Sequence, residues 1–159
     1  MSRMDSIEEH LTHLALKYRR VDAERIHLGF SGPNRTWEVM LLEYGPWFTC
    51  STVNLIQVPE RRLLEVLRLI NHINATRLVL GSFWIRPADQ QLCFDLSVPW
   101  GDGLTTEQLD LALRATGAID HFHPAFMRVI WGAEAAEEAL ASLTANPPEQ
   151  SDDGLDLAV

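Results

Sequence analysis

Between residues 25 and 57 an alternating stretch is followed by a mixed one and by one rich in β-branched and aromatic residues, and the three are separated by turn clusters, Ser31-Gly32-Pro33-Asn34 and Tyr44-Gly45-Pro46. A period of two belongs to a strand with one buried face. Strands separated by so few turn residues must return beside each other as antiparallel hairpins. Three consecutive strands are therefore predicted, over residues 26–30, 35–43 and 47–57. The first points Ile26, Leu28 and Phe30 one way, and the second sorts Trp37, Val39 and Leu41 from Glu38, Met40 and Leu42. No parallel α/β arrangement can be built from strands joined in this way.

Helical spacing brackets this block. Ser6-Ile7-Glu8-Glu9 reads as a capping box, with Ile7, Leu11, Leu14 and Tyr18 as one stripe and Arg19 and Arg20 at the helix end. Pro59 suits a first helical turn, and Leu63, Val66, Leu67, Ile70 and Ile73 extend that helix over 59–74. A second hairpin, 81–86 and 91–98, turns through Pro87-Ala88-Asp89-Gln90. Thr105 with Gln108 opens a further helix. Pro124 is expected to break it near residues 121–123, since an interior proline loses a hydrogen bond and crowds the preceding turn. Helix then resumes to residue 131, and a short acidic helix covers 133–143. The order α-β-β-β-α-β-β-α predicts an α+β domain over residues 1–145, a mainly antiparallel five-stranded sheet with helices packed on it. Residues 146–159, with Pro147, Pro148 and four acidic side chains, have the composition of a disordered acidic tail.

The net charge of −9 is concentrated at the end: residues 1–132 carry 13 basic and 15 acidic side chains, and no Lys or Arg follows Arg128. The body offers no basic footprint for nucleic acid or an anionic membrane. The pairs Arg19-Arg20 and Arg61-Arg62 are expected on solvated helix faces. No leader-like apolar segment follows Met1, and no apolar run reaches the ~18 residues of a membrane span. Cys50 and Cys93 form no CxxC pair, which points to a reducing compartment and a cytoplasmic protein. Both fall within predicted strands, away from the helix end or base that activates a thiol. There is no GxSxG elbow, and the nine glycines assemble no phosphate loop, so no cofactor is implied.

The densest polar cluster is Asp120-His121-Phe122-His123, the centre of the alternative reading as a metal-binding protein or enzyme. Side chains two apart on a helix diverge by about 200°, so His121 and His123 cannot chelate together without unwinding. His10 and His13 share a helix face but lack a third ligand. Five tryptophans, at 37, 47, 84, 100 and 131, exceed what a small core readily takes, and Trp84 and Trp100 are the expected partner-binding residues. The second helix holds Leu63, Leu64, Val66, Leu67, Leu69, Ile70 and Ile73, a surface wider than one stripe. Leu64 and Leu69 are accordingly expected at a homodimer interface.

Two stretches carry a family resemblance. Leu69-Ile70-Asn71-His72-Ile73-Asn74 leads into Leu80-Gly81-Ser82-Phe83-Trp84-Ile85, and residues 119–132 end in Val129-Ile130-Trp131-Gly132 before Glu137 and Glu138. With the element order, they resemble the YbjN-like family over residues 6–143, whose fold is similar to that of type III secretion chaperones such as the Tir chaperone. Members are described as sensory transduction regulators, and the chaperones are small, acidic, cytoplasmic homodimers that bind an extended partner segment. The resemblance thus implies a non-enzymatic, homodimeric protein-binding module with no catalytic residues to carry over. Physically, Asn71 and Asn74 are expected to cap or bridge the end of the second helix, and Gly81 to permit the turn that follows.

Overall fold

A computed structural model describes residues 2–145; the expected acidic tail lies outside the described residues. Helix α1 (Arg3–His13) starts one turn earlier than the Ser6 box predicts. Ser2 is its cap: the Asp5 N–H donates to Ser2 Oγ at 3.2 Å, and the Ser2 N–H donates to the Asp5 carboxylate at 2.7 Å. Ser2-x-x-Asp5 satisfies the same pattern, and only its position buries Met4 together with Ile7 and Leu11. Ala15, at φ 56°, reverses the chain before Tyr18. Arg19 and Arg20 consequently form a short strand, β1 (Arg19–Arg20), instead of a helix end. Arg20 reaches Glu8 at 2.8 Å and the carbonyl oxygen of Ala23 at 2.9 Å.

Next come β2 (Arg25–Ser31), β3 (Thr36–Tyr44) and β4 (Trp47–Gln57), the predicted hairpins. A 3₁₀ turn, Glu60–Arg62, precedes α2 (Leu63–Thr76). Strands β5 (Ser82–Arg86) and β6 (Gln91–Pro99) follow, then α3 (Thr106–Ala115), α4 (Ala118–Ile130) and α5 (Ala136–Ala145). The sheet is antiparallel throughout, in the order β1-β2-β3-β4-β6-β5. It has six strands where the sequence reading has five, because the two-residue β1 is too short to show alternation.

Register aligns Leu28 with Val39, Leu41 with Cys50, Cys50 with Leu96 and Phe83 with Phe94, all buried and all on one face. The helices close over that face. Phe83 is the hub, with ring centroids 5.0 Å from Phe94, 5.1 Å from Phe126 and 6.1 Å from Phe122. Asn74 bridges the end of α2 to β5, donating to the Phe83 carbonyl at 2.9 Å and accepting the Phe83 N–H at 3.0 Å. Gly81 makes its turn at φ 78°, while Asn71 is exposed. Arg62 is not solvated: it donates to the carbonyls of Val129 (2.7 Å) and Glu134 (2.8 Å), a cation serving the C-terminal end of α4.

The expected break at residues 121–123 does not occur. The chain breaks earlier, at Thr116 and Gly117, and α4 continues through Pro124. Pro124 has no N–H for the carbonyl of Asp120, four residues back. That oxygen accepts instead from Asn34 Nδ2 at 3.2 Å, so the helix absorbs the proline without an orphaned acceptor.

Candidate functional site

The Asp120 cluster is a clamp on the β2–β3 turn. The Asp120 carboxylate is buried and accepts the backbone N–H groups of Asn34 (2.8 Å) and Arg35 (2.7 Å), plus Asn34 Nδ2 at 3.3 Å. Gly32 leaves room for it: a Cβ there would lie 2.4 Å from Asp120 Cγ. His121 is exposed, with its ring edge against Phe122. His123 is half-buried, and burial, reinforced by the Arg35 charge and opposed by Asp120, pushes its pKa down. Among the described residues no three His, Cys, Asp or Glu side chains converge as metal ligands would. The helical backbone around Pro124 holds the two imidazoles apart. His10, the other histidine of note, bonds Thr106 Oγ1 at 2.8 Å and ties α1 to α3. Burial raises the Cys50 thiol far above the range of a reactive thiolate.

The tryptophans divide sharply. Trp100 is 2% exposed, edge-on to Phe48 at 5.3 Å with the Arg3 guanidinium 5.6 Å over its ring. It belongs to the core, which corrects the expectation that it meets a partner. Trp84 is 36% exposed on the solvent face of the sheet and donates to Asp95 Oδ2 at 2.9 Å, while Ser51 donates to Asp95 Oδ1 at 2.6 Å. Trp47, Tyr44 and Trp131 are also exposed. Their number was legible in the sequence; which ones face out was not.

Helix α2 divides its aliphatics likewise. Leu69 is fully buried, lying three residues from Val66 and four from Ile73 on the face that meets the sheet, so it contributes nothing to an outer surface. Burial of this kind stabilises by about 1.5–3 kcal/mol per side chain. Leu64, at 63% exposure, and Leu67, at 43%, stand one turn apart on the outer face. Sequence reasoning missed Leu67 by grouping it with the buried stripe. Beyond α2, Val79 is almost wholly exposed just before β5, an edge strand of the sheet. At the far end of β6 an apolar groove of about 290 Å³ opens between the sheet and α3.

An antiparallel sheet with helices over one face, in this element order, is the fold of the type III secretion chaperones. Two solved structures share it. One is YbjN from E. coli, described as "a putative transcription regulator", with TM-score 0.53 and 16% identity, covering 82% of this chain and 90% of that one. The other is the heterodimeric ExoU–SpcU complex of the type III secretion system of Pseudomonas aeruginosa, with TM-score 0.55 and 14% identity, covering 79% and 98%. Residues 3–126 match the model of the YbjN family, "Putative bacterial sensory transduction regulator", and the chain belongs to that family. No curated protein matches the sequence. Among the described residues no helix is long and apolar enough to cross a membrane.

Proposed function

We propose that the chain is a non-catalytic protein-binding module that works as a homodimer in the cytoplasm, in a chaperone-like or regulatory role. The observation that carries this reading is the pair Leu64 and Leu67, two large aliphatics left wet on successive turns of α2. Apolar surface that no described element covers gains about 25 cal/mol per Å² on burial, and a twofold axis lets one patch cover itself. The role as a binder of protein partners is supported by family membership and by the fold's occurrence in the ExoU–SpcU complex. The module is assigned to residues 1–145.

Sedimentation at micromolar concentration tests the assembly. The expected species has twice the 18.0 kDa chain mass and dissociates in Leu64→Asp, whose exposed position leaves the fold intact. A single 18.0 kDa species for the unaltered chain would sink the homodimer.

A further inference from the structure

Strand β6 is nine residues long and its neighbour β5 only five. Their pairing stops at Ser82 opposite Asp95, where Gly81 turns the chain away at φ 78°. In an antiparallel strand, alternate residues direct their peptide groups to opposite neighbours. The Trp100 N–H donates to the Pro46 carbonyl at 2.9 Å, on the β4 side, so Leu96 and Val98 also face β4. Ser97, which is exposed, therefore points its N–H and C=O into the space that β5 vacates. Alongside, on the helix side of the sheet, lies the groove. Leu96 and Val98 line its floor, and Leu80, Leu104, Leu111 and Ala112 its walls. Leu111 is 56% exposed.

We infer that this groove takes up an extended, apolar and basic segment of a partner protein, which adds to the free end of β6 as a further strand. The inference rests on the protein-binding reading and names the kind of segment bound. Only an extended chain offers peptide groups at the spacing of a strand edge, with alternate side chains directed at a groove beside it. The volume, about 290 Å³, suits a few aliphatic side chains. Charge selects the sign. Residues 87–113, which build β6, the loop after it and α3 to Leu113, carry five acidic side chains and no Lys, Arg or His. Asp89 and Asp110 pair with Arg86 and Arg114, and Asp95 is held on the opposite, solvent face of the sheet by Ser51 and Trp84, which leaves Asp102 and Glu107, close in sequence to the groove residues Leu104 and Gln108, without a salt bridge among the described residues. The chain's own residues 146–159 carry four more acids and no base, the wrong sign of charge for such an occupant.

The test uses the full chain and a fluorescein-labelled nonapeptide alternating valine with lysine or threonine, read by anisotropy. Saturable binding is expected, weakened at least about tenfold, the equivalent of 1.4 kcal/mol, by Leu111→Asp. Methylating one alternate set of peptide amides should weaken binding at least about tenfold more than methylating the other, since one set faces Ser97 and the other solvent. Two sets that behave alike would overturn strand addition, whatever the fold of the variant. Equal binding by a peptide with glutamate in place of lysine, or by a peptide of residues 154–159, would overturn the choice of a basic occupant. Repeating the titration on Leu64→Asp separates the two readings. A monomeric Leu64→Asp that still binds the peptide shows the groove to be independent of assembly; an unaltered chain that sediments as a monomer yet binds the peptide would sink the homodimer alone, and an unaltered dimer that ignores the peptide would sink the groove alone.

Discussion

Asn34 donates its side-chain amide to the Asp120 carbonyl oxygen at 3.2 Å, the acceptor that Pro124 leaves unused inside α4. A turn between two strands thus completes the hydrogen bonding of a helix 86 residues away. The same turn gives the Asp120 carboxylate two backbone donors, so one contact seats α4 on the sheet and makes its proline tolerable.

A double-mutant cycle measures that relationship. Asn34→Ala alone is expected to cost about 1 kcal/mol, the usual net value of such a hydrogen bond. In a Pro124→Ala background the loss should shrink by about half, because residue 124 then supplies its own N–H to Asp120. Equal losses in both backgrounds, by denaturant titration, would show the two residues to be independent. Asp120→Ala should cost about 2–3 kcal/mol, since it strands two backbone donors that bonded a charged group.

Two glycines provide a matched comparison. Gly32→Ala forces a Cβ to within 2.4 Å of the Asp120 carboxylate carbon, whereas a Cβ at Gly29 meets nothing within 4 Å. Gly29→Ala should be neutral or stabilise by about 0.5–1 kcal/mol, by limiting the unfolded chain. Gly32→Ala should lower the melting temperature by at least about 5 °C, equivalent to 1–2 kcal/mol in a domain of this size. Similar melting temperatures for the two variants would remove the Asp120 clamp from the account.

The half-buried His123 gives stability a pH dependence whose direction follows from its surroundings. Burial and the Arg35 charge hold its folded pKa below the ordinary histidine value of 6.5, against a smaller opposing pull from Asp120. In that window the unfolded chain binds more protons than the folded one, so stability rises with pH. The contribution is fully present above 6.5 and is lost as pH falls through that value toward the folded pKa. Melting temperatures of the unaltered chain and His123→Gln, from pH 5 to 8, should diverge at the acid end, with the variant less sensitive. Parallel profiles would mean that His123 titrates as it does in the unfolded chain.

Local pattern was enough for most elements. Alternation, turn clusters and the Thr105–Gln108 box are properties of a few neighbouring residues, and the hairpins and the start of α3 follow from them. Where two positions satisfied the same local rule, tertiary burial chose. Ser2-Asp5 and Ser6-Glu9 both read as caps, and Met4 entering the core selected the first. The candidate site was legible only in outline. The excess of aliphatics on α2 and of tryptophans showed that some surface stays apolar, and Leu64 and Trp84 lie on it. Leu69 and Trp100 do not, because exposure depends on which neighbours a helix or loop meets, a relation between distant residues.

The sequence by itself determined an antiparallel α+β sheet, since hairpin spacing and a period of two admit no other pairing. Only the tertiary structure decided that α4 runs through Pro124, that Leu67 is wet and Leu69 dry, and that β6 outlasts β5. Each outcome turns on a partner far along the chain: Asn34 for the Asp120 carbonyl, the sheet for Leu69, and the departure of Gly81 for the free edge at Ser97.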